Sequence, residues 1–328
     1  MSKSKAVIYI ESTDGKFSTS HNHGERTIDT PMLMASITKM FTSACVLILC
    51  DAKKISLDDK ISTYLDKDTM ANLHVYKGRD YSNDLTISHL LFQTSGFSDY
   101  FLHKKSSLNW KKSIQTDHKF TFNDIVTESK KLNPLFPPND KKAFYTDTNY
   151  DLLGKILENV TGLSLAEIYK QFIFKPLNMN DTYLPTKEDD FVPPITFKGE
   201  QFHRPKVIKS CGASGGGIST PKDLMTFSKA FWHGKLFNKD MLEKLAIYKK
   251  AMPMSPIYYG GGYMRMKAGG FYTNFKGKGD IIGHSGFTGS FMFYYPHLDL
   301  HFVGDLAQIA PSKTIRLVLK LIMTSHKK

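Results

Sequence analysis

The run from Ser36 to Cys50, SITKMFTSACVLILC, limits the fold more than any other segment of the chain. Ile37, Met40, Phe41, Ala44, Cys45 and Ile48 share one helical stripe, and Val46, Leu47 and Leu49 fill much of the remaining circumference. A helix that is apolar all round belongs inside a protein, so other elements must surround it. Its first turn nevertheless carries Ser36, Thr38 and Lys39, polar groups that a buried helix ordinarily avoids. The apolar stretch Ala44 to Cys50 falls far short of the ~20 residues that cross a bilayer, so no transmembrane segment is expected.

The surrounding elements are legible from their patterns. AVIYI at 6–10, followed by Thr13-Asp14-Gly15, reads as a strand entering a hairpin. From 56 to 206 the chain is helical and loop-rich, with capping signals at Ser56, Thr86, and Ser164 with Glu167, and Gly162 closing a helix over Asp151 to Thr161. Thr220-Pro221-Lys222-Asp223 opens a helix that runs to about His233 and stops at Gly234. After Pro256 come the short aromatic and β-branched runs YYGGGYMRM, DIIGHS, GSFMFYYP and DLHFVGDL, then SKTIRLVLKLIM at helical spacing. The order predicts an α/β fold, an antiparallel sheet flanked by helices, in which 1–55 plus 207–328 form one domain and a mostly helical domain over 56–206 is inserted. The active site is expected between the two.

Of the 44 Lys and Arg residues only Arg26, Arg79, Arg204, Arg265 and Arg316 are arginine, and the lysines are dispersed. Phosphate and base recognition leans on Arg forks, so a net charge of +13 reads as a solvated lysine surface and no nucleic-acid partner is expected. At most it hints at an anionic substrate or an acidic cell-surface polymer. Cys45 and Cys50 diverge on one helix and Cys211 is distant in sequence, which gives neither a disulfide framework nor a zinc pattern. Behind Lys3 and Lys5 the apolar segment is too short for a signal peptide. A cytoplasmic location follows if this is the native start, and an envelope or secreted one if a leader has been removed.

Ser36 and Lys39 stand three apart, so on a helix they meet on one face. A serine hydroxyl needs a neighbouring base to become a nucleophile, and a lysine shielded from water can have its pKa lowered enough to serve. A capping serine with a surface lysine would give the same tetrapeptide, so the accompanying segments decide. These are TISHLLFQTSGFSDY, FYTDTNYDLLGKILENVTG with Tyr145-Thr146-Asp147, GGGISTPKDLMTF, and GHSGFTGS with His284-Ser285-Gly286.

Together with ASITKMFTS, and in this order, they resemble the serine β-lactamase and penicillin-binding-protein superfamily, in its branch of class C β-lactamases, D-alanyl-D-alanine carboxypeptidases, D-amino acid peptidases and family VIII esterases. The resemblance covers nearly the whole chain. It implies that Ser36 is acylated, that Lys39 is the adjacent base or proton relay, and that Tyr145 transfers a second proton, acting as a phenolate if charged Lys39 lowers its pKa. It also implies an oxyanion hole from the backbone N–H groups of Ser36 and Phe287, and a substrate site including Asp147, His284, Ser285, Gly286 and Tyr100. Neither a metal nor an organic cofactor is implied. The partner is a small-molecule or peptide substrate, with cell-wall association where relatives act on that polymer.

Two departures narrow the expectation. Tyr145-x-Asp147 stands where Tyr-x-Asn is commoner, and an ionised aspartate accepts hydrogen bonds but cannot donate them; it should also hold Lys39 cationic. His284-Ser285-Gly286 replaces Lys-Thr-Gly, so a partly charged imidazole is expected to meet an anionic substrate group. Both point toward a D-peptidase or esterase rather than an efficient lactamase. The alternative is a slowly acylated sensor of penicillin or cell-wall peptide. His21-x-His23 with Glu25 has metal-compatible spacing, but scattered histidines give such pairs by chance. Gly215 to Gly217 and Gly260 to Gly262 lack the Lys-Ser/Thr of a phosphate loop and read as close backbone approaches.

Overall fold

The computed structural model describes residues 5–139, 141–252, 257–270 and 273–325. Nine of its strands form one sheet. In chain order they are β1 (Ala6–Ser12), β2 (Ser18–His23), β3 (Ala143–Phe144), β4 (Lys249–Met252), β5 (Tyr258–Tyr259), β6 (Met264–Lys267), β7 (Asp280–Ser285), β8 (Ser290–Tyr295) and β9 (Leu300–Asp305). Across the sheet they run β2-β1-β9-β8-β7-β6-β5-β4-β3. Neighbours are antiparallel except β3 on β4, where Ala143 pairs with Ala251. The N-terminal hairpin therefore joins the C-terminal meander through β1 and β9, with Ile10 opposite Phe302.

Both faces of this sheet are covered, which explains why every residue of β9 is buried. Val303 faces the large core that contains α1 (Thr38–Asp51) and α2 (Thr148–Thr161). Phe302 faces the second core, with Val318, Leu319 and Ile322 of the C-terminal helix Pro311–Ser325. The helix Pro221–Trp232 crosses β1, β8 and β9 on the first face.

The all-round apolar segment is the buried helix that its pattern demands: Met40, Phe41, Ala44, Cys45, Val46 and Leu47 have no exposure. Its boundary differs, because the α-helix opens at Thr38 and Ser36 belongs to a 3-10 turn, Ala35–Ile37. The caps at Thr86, Ser164 and Thr220 form, each accepting the N–H three residues on. Ser56 caps no helix; within the segment LDDKISTYL that follows it only the turn Ile61–Thr63 is helical. YYGGGYMRM is two short strands rather than one, since its three glycines make the connecting turn and Gly262 has φ +98°. Among the described residues no helix is long and apolar enough to cross a membrane.

Candidate active site

The nucleophile turn is held from below and from the side. Ala35 adopts φ +45°, a left-handed conformation that costs an L-residue about 1–2 kcal/mol, immediately before Ser36. Ser290 Oγ donates to the Met34 carbonyl at 2.9 Å, tying the turn to the start of β8. Gly286 makes this approach sterically feasible: a Cβ there would lie 2.6 Å from the Met34 carbonyl oxygen and 2.0 Å from Ser290 Oγ. The glycine of His284-Ser285-Gly286 is thus required by packing against the serine's own loop.

Lys39 is fully buried, and its ammonium has three partners for three N–H groups. It donates to Asp147 Oδ1 at 2.6 Å, to the Ser214 carbonyl at 2.7 Å and to Ser36 Oγ at 3.4 Å. Burial works against the charge, but the Asp147 carboxylate overrides it and holds the lysine pKa above its ordinary value. The expectation that Asp147 keeps Lys39 cationic agrees with this geometry.

Tyr145 enters from the loop joining β3 to α2, its ring centroid 5.0 Å from Lys39 Nζ. Its hydroxyl is buried without a hydrogen bond among the described residues, although Ser36 and Lys39 lie near enough to influence its ionisation. Burial pushes the phenol pKa up and outweighs the opposing lysine. The phenolate expectation is therefore corrected: Tyr145 rests as a neutral phenol. Gln93 fixes this segment by bonding the Thr146 backbone at both ends, Nε2 to the carbonyl at 3.1 Å and Oε1 from the N–H at 3.0 Å, while Asn149 Nδ2 donates to the same Oε1.

Two further carboxyl groups stand behind Asp147. Asp99 Oδ2 accepts the Asp147 N–H at 2.6 Å, and Asp151 Oδ2 accepts the Tyr100 hydroxyl at 2.9 Å. Burial, with the Asp147 charge nearby, raises Asp99 to about 7 and Asp151 to about 8. Tyr100 is accordingly no substrate contact. It is 1 % exposed and packs with Leu108, Phe120 and Val207, because its phenol is drawn inward to Asp151.

His284 also departs from expectation. It is fully buried, Nδ1 lies 2.9 Å from the Ser285 carbonyl and Nε2 lies 3.3 Å from the Tyr259 hydroxyl. Burial, helped by the Lys39 charge, lowers its pKa to about 3. Nδ1–H donates to the Ser285 carbonyl while the Tyr259 hydroxyl gives its proton to Tyr150 at 3.2 Å; burial keeps the imidazole neutral, so His284 supplies no cation to an anionic substrate. Ser285 is buried too, its hydroxyl against Met264 sulfur at 3.9 Å.

Ser36, Asp147 and Ser214 open on a cavity of about 60 Å³ walled largely by aromatic and aliphatic side chains from Phe101, Trp110, Ile195, Ile208 and Phe287. Phe287 stands edge-on to Phe101 at 5.7 Å and to Trp110 at 5.2 Å. Gln93, Asp99, Asp151, Phe101 and Trp110 are assigned no role by the sequence reading, since each acts through a contact distant in the chain.

His21 and His23 lie exposed on the edge strand β2. Among the described residues the three groups within metal-ligand distance of one another are instead His233, Asp299 and His301, gathered around the Thr13 hydroxyl, which lies 3.0, 2.6 and 3.1 Å from them.

Comparison with known proteins followed the same outline. The Beta-lactamase family profile matches residues 11–304. Penicillin-binding protein 4* of Bacillus subtilis is 26% identical over 306 residues, 85% of this chain and 62% of the relative. The chain spans less than two thirds of the length of the curated relatives it first matches. Among solved structures, a D-stereospecific amidohydrolase from Streptomyces sp. aligns with a TM-score of 0.79 at 24% identity, over 96% of this chain and 93% of that one. EstCE1, a hydrolase with promiscuous acyltransferase activity, aligns at 0.77 and 14% identity, over 99% and 94%. At these identities the structural likeness establishes the fold.

Proposed function

This chain belongs to the Beta-lactamase family, and from that membership we propose that it is a serine hydrolase that cleaves an ester or amide carbonyl through an acyl-enzyme on Ser36. The observation that carries the reading is Lys39 Nζ at 3.4 Å from Ser36 Oγ, with Ser36 lining a cavity.

The resting protonation dictates the order of proton transfers. A lysine ammonium has no lone pair, so Lys39 becomes a base only by giving one proton to Asp147 across their 2.6 Å contact. The amine then takes the Ser36 proton as Oγ attacks the carbonyl carbon. The N–H groups of Ser36 and Phe287 receive the oxyanion. When the tetrahedral intermediate collapses, the neutral Tyr145 phenol donates its proton to the departing oxygen or nitrogen and is reprotonated from Lys39. Water then attacks the acyl carbon through the reverse proton path and frees the acid and Ser36. Asp147 is thereby a proton acceptor in this scheme, not a donor to a substrate carbonyl.

A second reading, slow acylation by a penicillin- or cell-wall-peptide-binding sensor, is favoured by the saturation of Lys39: all three N–H groups are engaged before any substrate binds. One experiment separates the two. Rapid-mixing kinetics with p-nitrophenyl butanoate and with a fluorescent penicillin, on the wild type and Ser36→Ala, should give a burst followed by steady turnover of the ester that Ser36→Ala lacks. A stoichiometric burst with no turnover supports the sensor; no Ser36-dependent signal with either probe rejects both.

A further inference from the structure

We propose that the substrate group seated in the cavity beside the scissile carbonyl is apolar and uncharged, and that this cavity rejects a carboxylate. The inference rests on the serine-hydrolase reading and names the substrate class of that site.

The wall supports it from three directions. Phe101, Trp110 and Phe287 form an edge-to-face corner, and Ile114, Ile195 and Ile208, against which Trp110 packs, add an aliphatic wall. The smaller polar groups are turned to backbone: Ser113 Oγ donates to the Asn109 carbonyl at 3.4 Å and Thr288 Oγ1 to the Leu33 carbonyl at 3.5 Å. A volume of about 60 Å³ has room for roughly four water-sized spheres, hence for a few heavy atoms of the side group against this wall.

Charge points the same way. Asp147 is the one charged residue among those lining the cavity, and it faces Lys39. Two nearby cations are occupied. Lys39 has no exposure and three partners. Arg204, at the start of the helix Pro205–Ser210 that contributes Val207 and Ile208, spends its guanidinium on the carbonyls of Ser113, Ile114 and His203. A third, Lys111, lies over the Trp110 ring, its Nζ 5.8 Å from the centroid, and is not itself a lining residue. A carboxylate entering here would lose its water, find no cation among the lining residues and lie beside a second carboxylate. An alkyl or aryl group loses only apolar surface to water. The net reaction is R–CO–OR′ plus water to R–COOH and R′OH, with R the apolar group; the acid is charged only on release.

The test uses two p-nitrophenyl esters of nearly equal shape, (E)-4-methylpent-2-enoate and the hemifumarate, and a bulkier cationic one, (E)-4-(trimethylammonio)but-2-enoate, with Ser36→Ala rates subtracted. The trans double bond prevents self-cleavage of the anionic ester. The neutral ester should exceed the anionic one at least about 100-fold in kcat/KM. Thr288→Lys, a half-exposed lining position, should narrow that ratio about tenfold or more by supplying a cation. Ser36-dependent turnover that is equal for the three, or fastest for either charged ester, overturns this inference and leaves the hydrolase reading standing. No Ser36-dependent turnover of any ester, with no labelling by a fluorophosphonate, overturns the hydrolase reading and this inference with it.

Discussion

Lys39 Nζ lies closer to Asp147 than to Ser36, 2.6 Å against 3.4 Å. The lysine beside the nucleophile is therefore one half of a buried ion pair, and its ability to accept a proton depends on where Asp147 keeps its own. Asp147→Asn separates these roles. In the wild type Asp147 is the group that takes the lysine's proton. In the variant the base is Lys39 alone, an uncompensated buried amine that must first lose its proton. The acid limb of kcat/KM should move to higher pH by about one unit or more. An unchanged limb would show that Asp147 holds no proton during the reaction.

Tyr145→Phe should separate catalysis from stability. The hydroxyl is buried and without a hydrogen bond among the described residues, so its loss leaves no partner stranded and should change stability by less than about 1 kcal/mol. Turnover should fall by about 10²–10⁴, the usual worth of a positioned proton donor. Thermal melts and kcat on the same preparation provide the check, and a variant that melts early without losing turnover would assign the phenol to packing.

Gly286→Ala introduces a Cβ where the Met34 carbonyl and Ser290 Oγ leave no room. The backbone must move, and the Phe287 N–H moves with it. Acylation should slow by about 10²–10³, the loss typical of one oxyanion donor. Fluorophosphonate labelling rates read this directly; a normal rate would place the oxyanion contact elsewhere.

Asp99 and Asp151 make stability fall as pH rises. Each is protonated in the folded state up to about 7 and 8, whereas in the unfolded chain each ionises near the ordinary aspartate value. Between those limits unfolding releases protons, so this contribution is complete at acid pH below the unfolded value and is lost as pH climbs through 7 and 8. Melting temperature should decline by several degrees from about pH 5 to about pH 8.5, and Asp99→Asn with Asp151→Asn should flatten the slope. A flat wild-type profile would contradict the burial of these carboxyls as acids.

How far the sequence alone leads depends on how local each cause is. The buried helix and the Ser36–Lys39 spacing follow from residues a few positions apart, and the sheet follows from alternating runs between turns; the close approach of Gly286 to the Met34 carbonyl joins residues far apart in the chain and does not. Protonation states do not. His284 looked like a half-charged substrate contact, yet it is enclosed by Tyr145 and Tyr259, residues that only tertiary packing brings beside it. Tyr145 looked like a phenolate because Lys39 was foreseen and its burial was not. Tyr100 looked like part of the pocket because Asp151, its inward partner, lies 51 residues away on α2. The capped start of the helix was read two residues early because the strained turn at Ala35 leaves no mark in residue type.

The central claim is that Ser36 carries the acyl group. Acid-quenching the enzyme during turnover of p-nitrophenyl butanoate and recording the intact mass tests it most directly. The account predicts a species heavier by one butyryl group, mapped to the peptide containing Ser36 and absent from Ser36→Ala. An adduct on another residue, or full turnover by Ser36→Ala, would contradict it.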